Sequence, residues 1–377
     1  MSEAYIISTV RTPVGRGKSD GALSSITPIN LTALVLQEVV RRAGIEPHQI
    51  EDVVWGCVTP LGEQGANLAR LGLLKAGYPV EVPAVTLNRM CGSGQQAIHF
   101  AVQAIMAGDM DLVVAGGTEM MSRVQMGTDW PASWPGDFPY PLVHQGISAE
   151  MMAEKWELTR EKLDDYSYQS HIRAAKAILH GHFEGQILPI TLPDGRTVTT
   201  DEGVRQSPDR QKMAAIKPAF REDGVITAGN ASQISDGAGA TLLASSGAVK
   251  RYNLKPMARV VARAVVGTDP VLMLDGPIPA THQVLKRSGL RLEQMDVVEV
   301  NEAFASVVLA WSREHKPDMD KVNPNGGAIA LGHPLGATGV ILMTKLVYEL
   351  QRIQGSYGLQ TMCIGHGMAT ATIIERV

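Results

Sequence analysis

Three residues of this 377-residue chain carry reactive side chains in settings suited to acyl transfer: Cys91, His333 and Cys363. Cys91 stands in Asn88-Arg89-Met90-Cys91-Gly92-Ser93-Gly94. The β-branched run at 82–87 precedes it, and Ala97, Ile98, Ala101, Val102 and Ile105 follow at helical spacing. The pattern predicts a strand turning into a helix at Cys91. Unpaired N–H groups and the positive dipole end gather at a helix start, which favours a thiolate over a thiol. His333 stands at the end of a glycine-dense loop, 325–339, just before a second predicted helix. Cys363 lies in Thr361-Met362-Cys363-Ile364-Gly365-His366-Gly367, a strand ending in glycines. Asn301 follows another apolar strand, in Val300-Asn301-Glu302-Ala303-Phe304-Ala305.

Each of these alone has a commonplace explanation, such as core filling for a cysteine. Together they make a kit for acyl transfer. A cysteine nucleophile needs a neighbouring base, and His333 is the candidate. An acyl intermediate needs donors aimed at its oxygen. Backbone N–H groups at Cys91 and near Gly365, with His333 and a water held by Asn301, are candidates. A second thiol, Cys363, can shuttle a proton near neutral pH.

Strands alternating with helices indicate an α/β fold with a largely parallel sheet. Predicted strands cover 5–10, 52–56 and 112–115; predicted helices cover 31–43 and 67–75. The block from Gly44 to Val54 matches the block from Gly289 to Val298, with the two leading glycines 245 residues apart. The Cys91-Gly92-Ser93-Gly94 turn lies over Gly336-Ala337-Thr338-Gly339 at the same offset. We infer a duplicated α/β unit whose strand–helix turns meet at a shared seam. The expected organisation is an N-terminal half over 1–117, completed by about 236–250, and a C-terminal half over 251–377. Between them, 118–235 reads as an inserted loop domain and a binding element. A helical run from Ser148 through His182 is expected there, with Glu150, Glu154, Lys155 and Arg160 on its wet faces.

The net charge of −4 argues against a nucleic-acid partner. Three cysteines without a CxxC pair argue against a disulfide framework or a zinc site, and no metal is expected. No apolar run is long enough to span a bilayer, and residues 1–11 do not read as a signal peptide. A cytoplasmic, reducing compartment is the expectation.

The motifs around Cys91, Asn301, His333 (Gly326 to Gly336) and Cys363-Ile364-Gly365-x-Gly367 together resemble those of the thiolases, which cleave or form 3-ketoacyl-CoA thioesters. Weaker matches lie at 11–15, 115–122 and 227–232, so the resemblance spans nearly the whole chain. It implies two βαβαβαββ halves in a five-layer αβαβα arrangement, with the inserted domain binding coenzyme A. It implies Cys91 as acyl-carrying nucleophile, His333 as its base and Cys363 as acid/base at the α-carbon. Asn301 would hold an oxyanion-binding water, and the N–H groups of Cys91 and Gly365 a second oxyanion hole. Arg205 matches a residue near the adenine nucleotide; Ser232 and Ala228 match pantetheine contacts; Phe220 and Phe304 lie in matched regions. His144-Gln145 resembles a stretch shaping the acyl pocket, where Gln145 replaces the family's usual methionine. His366 stands where many relatives have glycine. Coenzyme A would be a substrate, with no permanently bound cofactor, and the assembly a homodimer or homotetramer. The implied activity is thiolytic cleavage of 3-ketoacyl-CoA through a covalent acyl-cysteine. An acetoacetyl-CoA-specific acetyltransferase is the alternative.

Three rival readings are set against this one. Gly92-Ser93-Gly94-Gln95-Gln96-Ala97 with Asp111 fits a dinucleotide-binding pattern, which suggests a dehydrogenase. A decarboxylating condensing enzyme of the same superfamily would lack the second cysteine. A non-catalytic lipid carrier gives no reason for two thiols to accompany the histidine.

Overall fold

The computed structural model describes residues 3–377. The first half opens with β1 (Ala4–Arg11), β2 (Gly15–Arg16), α1 (Pro28–Ala43) and β3 (Asp52–Gly56). It continues with α2 (Leu68–Lys75), β4 (Ala84–Leu87), α3 (Ser93–Ala107) and β5 (Leu112–Met120). An excursion over 121–234 holds α4 (Gln145–Lys155), α5 (Arg160–Leu179), β6 (Ile190–Thr191), β7 (Thr197–Val198) and α6 (Arg210–Ala214). The chain returns as β8 (Ser235–Ser245) and α7 (Ser246–Arg251). The second half is β9 (Ala258–Gly267), α8 (Pro277–Ser288), β10 (Val297–Val300), α9 (Ala305–His315), α10 (Ala328–Leu331), α11 (Leu335–Ile353), β11 (Tyr357–Ile364) and β12 (Met368–Arg376).

The internal repeat is visible in local chemistry. Helices α1 and α8 both start on proline, whose missing N–H costs nothing at that position. Both end at a glycine in the left-handed region, Gly44 at φ 67° and Gly289 at φ 72°. Each is followed by a 3₁₀ turn and a buried strand, β3 or β10. Strand order repeats as well. In the first half β1, β8, β5, β3 and β4 are neighbours in that order. In the second, β9, β12, β11 and β10 follow the same course, and Val322 bridges Val298 where β4 has its counterpart.

Apolar clusters order the layers. Leu31, Leu36 and Val39 of α1 pack on one face of the first half-sheet. Ile98, Ala101 and Val102 of α3, with Val340, Met343 and Leu346 of α11, fill the space between the half-sheets. Val284 of α8 and Trp311 of α9 cover the outer face of the second. This is the five-layer αβαβα arrangement. The half-sheets also join edge to edge through a two-residue pairing of β1 with β9, which makes one ten-stranded sheet.

Glycines let the two halves touch. The carbonyl of Gly336, at the start of α11, lies against Gly56, Gly94 and Gly117 so closely that no Cβ fits on Gly117. Glu119 at the end of β5 crosses the same seam. Its buried carboxylate accepts from Val58 N (2.8 Å), Gln64 Nε2 (2.8 Å), Thr59 N (3.2 Å) and, from the other half, Gly336 N (2.9 Å).

The long predicted helix in the excursion is two helices. Glu157, at φ 48°, breaks the run, and Thr159 caps α5 by accepting from Lys162 N. Glu150 is not on a wet face. It is fully buried and accepts from Val225 N and Ile226 N, both at 2.9 Å, because residues 220–226 fold back over α4.

A buried ion pair ties the excursion to β1. Arg11 donates through Nη1 (2.7 Å) and Nη2 (3.0 Å) to Asp201, with both side chains fully enclosed. Asp201→Ala would leave a buried guanidinium without its counter-ion. It is expected to cost about 3–5 kcal/mol, read as a shifted urea midpoint. An unchanged midpoint would show that the pair contributes nothing net.

Candidate active site

The Cys91 turn is built by its own neighbours. Asn88 donates to Val58 O (2.9 Å) and accepts from Met90 N (2.7 Å). Ser93 Oγ donates to Met90 O (2.6 Å) and accepts from Arg89 N (2.9 Å). Met90 is thereby held at φ 45°, and Cys91 immediately precedes Gly92, the cap of α3. A Cβ on Gly92 would run into Ile364, so glycine there lets the Cys91 turn and the Cys363 strand meet.

The other groups arrive from the second half and the excursion. The Gly365 turn lies against the Cys91 turn, with Gly365 facing Met90, and its backbone N–H favours the Cys91 anion. Cys363 lies two residues earlier on β11, close enough for charge on Cys91 to raise its pKa. Asn301 leaves β10 beside that strand, its N–H donating to Thr361 O at 3.0 Å. Asn301 Nδ2 lies 3.4 Å from His333 Nε2. The loop carrying His333 is pinned by Gln233, which accepts from His333 N (3.1 Å) and donates to Ile329 O and Ala330 O.

Hydrogen bonds fix the imidazole tautomer. Thr338 Oγ1 donates to Pro334 O (3.0 Å), so it accepts from His333 Nδ1–H (2.6 Å). Nε2 then keeps its lone pair, facing Asn301. Burial pushes His333 down to about 4, so it stays neutral at physiological pH.

The thiolate expected from the helix start is not favoured in this setting. Burial pushes Cys91 up to about 11, outweighing the N–H groups of Gly365 and Cys91 itself that stabilise the anion. Burial, and next the charge of Cys91, raise Cys363 as well. Burial penalises a charge on the sulfur or the imidazole alone. Transfer of a proton from thiol to imidazole creates both charges together, and each stabilises the other.

A cavity of about 920 Å³ reaches this cluster at His333, a size that suits an extended small-molecule ligand. His144, Gln145, Arg205, Phe220, Ala228, Ser232 and Phe304, all expected at a ligand site, line it, and so does His333. Cys91, Cys363, Asn301 and Gly365 do not line it. They lie behind its wall, where Leu335 both lines the cavity and packs with Cys91. One wall is aromatic: His144 stacks on Phe220 at 5.1 Å, and Phe220 meets the edge of Phe304 at 6.1 Å. Ser232 N donates to Ala303 O (2.9 Å), fixing this wall to the Asn301 loop.

Several supporting residues escape a reading of spacing. Lys18 and His171 line the cavity from remote stretches of chain. His171 Nδ1 accepts from Arg205 N (3.2 Å), and burial lowers its pKa to about 4. Glu302, next to Asn301, accepts from Ser170 Oγ (2.7 Å), Tyr166 Oη (2.8 Å), Asn323 Nδ2 (3.1 Å) and Ile329 N (3.1 Å). Its position beside Asn301 is the one mark of it in the sequence. Thr338, five residues after His333 in the glycine-rich stretch, was legible as helix but not as the imidazole's partner.

The dehydrogenase reading fails on geometry. Asp111 precedes β5, at the opposite end of that strand from the site, and is engaged with Arg251 (3.0 Å) and Ser245.

Comparison with known proteins agrees with this arrangement. Residues 4–247 match the model for the thiolase N-terminal domain, and residues 254–376 that for the thiolase C-terminal domain. A steroid 3-ketoacyl-CoA thiolase of Mycobacterium tuberculosis is 50% identical, over 100% of this chain and 95% of its own length. A 3-oxoadipyl-CoA/3-oxo-5,6-dehydrosuberyl-CoA thiolase of Escherichia coli is 43% identical, and a 3-ketoacyl-CoA thiolase of Vibrio cholerae 42%, each over the full length of both chains. The chain belongs to the thiolase family. It is accordingly an acyltransferase that cleaves 3-ketoacyl-CoA thiolytically.

The depressed pKa of His333 has a kinetic consequence. The neutral imidazole persists as pH falls and is lost only through about 4. The rate of acyl-enzyme formation from acetyl-CoA, followed by quenching and mass spectrometry, is therefore expected to hold across pH 5.5–8 and to drop near pH 4, roughly two units below an ordinary histidine. An acid limb centred near pH 6.5 would contradict the buried, neutral assignment.

Proposed function

We propose that the cluster works by a ping-pong mechanism on a covalent acyl-cysteine. His333 Nε2 takes the proton of Cys91 as the sulfur attacks the keto carbon of a 3-ketoacyl-CoA. The Cys91 and Gly365 N–H groups receive the resulting oxyanion. When the bond between the α-carbon and the former keto carbon breaks, Cys363 protonates the departing acetyl-CoA enolate. A water held by Asn301, with His333, stabilises the enolate oxygen. Cys363, now a thiolate, deprotonates incoming coenzyme A, whose sulfur takes the acyl group from Cys91. The observation that carries this reading is the close packing of the Cys91 turn on the end of the Cys363 strand, Gly92 against Ile364 and Met90 against Gly365.

Coenzyme A is a substrate in this scheme and no resident cofactor is used. Residues 118–235 serve as a loop domain that holds it, between halves at 1–117 (completed by about 236–250) and 251–377. Ser232 and Ala228 face the pantetheine arm. Arg205 and Lys18 line the cavity, where a guanidinium and an ammonium suit phosphate or adenine. Coenzyme A enters by the 920 Å³ cavity. The protein works in the reducing cytoplasm, a setting that suits its free thiols. No helix among the described residues is long and apolar enough to cross a membrane. A homodimer or homotetramer is supported by β4, which among the described residues pairs only with β3 and leaves Val85 exposed at an open sheet edge.

The physiological direction is degradative. A series of kcat/KM values for thiolysis, from acetoacetyl-CoA upward in chain length, tests this. The constant is expected to rise roughly tenfold or more beyond the shortest substrate, as added apolar groups find contacts. Activity confined to acetoacetyl-CoA would instead favour the acetoacetyl-CoA-specific acetyltransferase.

A further inference from the structure

The stretch between β5 and α4 carries aromatic residues that the catalytic scheme does not use. Trp130, Trp134, Phe138 and Tyr140 fall within eleven residues of a chain that has only five tryptophans and five phenylalanines. They are not buried as core: Trp130 is 38% exposed and Trp134 41%. They make a continuous run of ring contacts, Trp130 to Trp134 at 6.5 Å and Trp134 to Phe138 at 5.7 Å. The run ends on His366, which both tryptophans meet at 5.8 Å, Trp134 edge-on.

His366 is the residue after Gly365, which lies against Met90, the residue before Cys91. It is held at φ 62°, a conformation that favours glycine, between Gly365 and Gly367. Its Nδ1 is buried without a hydrogen-bond partner in the protein. A side chain kept in such a backbone, with a ring nitrogen left free, implies a contact beyond the fold itself. The same stretch reaches the coenzyme cavity through Met126. It therefore touches the region around the nucleophile from two directions.

We propose that Trp130, Trp134 and His366 form the wall that receives the acyl group, and that they select a bulky, ring-bearing acyl group over a short straight chain. This rests on the assignment of Cys91 as the acyl carrier. Phe220 lines the cavity assigned to coenzyme A and the rings do not, so the proposal puts the acyl group on the Gly365 side of Cys91. An acetyl group would end before reaching the rings. A fused or aromatic ring system lies flat against them, and His366 Nδ1 can meet a polar substituent on it.

The test compares wild type, Trp130→Ala/Trp134→Ala and Trp134→Phe. The readout is the ratio of kcat/KM for two synthetic 3-ketoacyl-CoA substrates, one ending in a fused carbocycle and one being 3-ketohexanoyl-CoA. The ratio is expected to fall roughly 10–100-fold in the double variant, chiefly through KM, and to stay within about threefold for Trp134→Phe. An unchanged ratio in the double variant overturns the proposal. So does a change of oligomeric state in sedimentation with the ratio preserved, which would assign the rings to a contact between copies. Acylation of wild-type Cys91 by acetyl-CoA, read by peptide mass spectrometry, separates the two levels. A labelled Cys91 with an unchanged ratio sinks only the wall, whereas an unlabelled Cys91 sinks the acyl-carrier assignment on which it rests.

Discussion

Cys91→Ala is expected to abolish thiolysis and acyl-enzyme formation together, with kcat reduced by roughly four to six orders of magnitude. The size follows from the position of the sulfur. The Gly365 turn packs against its own turn, which is held by Asn88 and Ser93 through hydrogen bonds to the backbone that do not involve the thiol. The variant therefore keeps the turn, the proposed oxyanion donors and His333, and loses only the atom proposed to carry the acyl group. Folding should be little affected. The sulfur packs among Val58, Met121, Leu335, Leu342 and Met362, and losing one buried atom costs about 1 kcal/mol plus a small cavity term. Thermal unfolding close to that of wild type, with no mass shift on Cys91 peptides after incubation with acetyl-CoA, is the expected pair of results. Residual turnover above a thousandth of wild type would mean that another group carries the acyl chain.

Parts of this site were legible because they are local. The strand, the glycines and the helical spacing around Cys91 fix a turn within a dozen residues, and the structure has that turn. The repeat was legible for the same reason: Gly44 and Gly289 each stop a helix by a conformation that few other residues adopt. What escaped depends on contacts between distant segments. Glu150 sits at a spacing that suits a solvated face, yet 220–226 fold over it and supply its donors. Glu119 and Glu302 are carboxylates whose partners lie as far as 217 residues away in sequence, so no local pattern marks them as anchors. The pairing of β1 with β9 involves two residues and leaves no periodic trace. The Cys91 pKa shows the limit most plainly. A helix start is a local feature and argues for a thiolate, but enclosure is a property of the whole fold, and here enclosure prevails.

That enclosure sharpens the expected effect of Cys363→Ala. Cys363 is buried on β11, and its thiol is pushed up by burial and then by Cys91. A raised pKa keeps this sulfur protonated until a carbanion of higher basicity forms beside it. In the proposed scheme it then protonates the departing enolate and becomes the base for coenzyme A. Removing it should leave the first chemistry of Cys91 in place, because His333, Asn301 and the Gly365 N–H do not depend on this side chain. Acyl transfer from acetyl-CoA to Cys91 should therefore persist, slowed by about tenfold or less. Cleavage of a 3-ketoacyl-CoA should fall by roughly 10²–10⁴-fold, the usual contribution of a positioned acid/base. The distinguishing measurement is exchange of the α-protons of acetyl-CoA with solvent deuterium, which requires the α-carbon step alone. Exchange lost while Cys91 still acylates would assign Cys363 to that carbon; exchange retained at the wild-type rate would remove it from the mechanism.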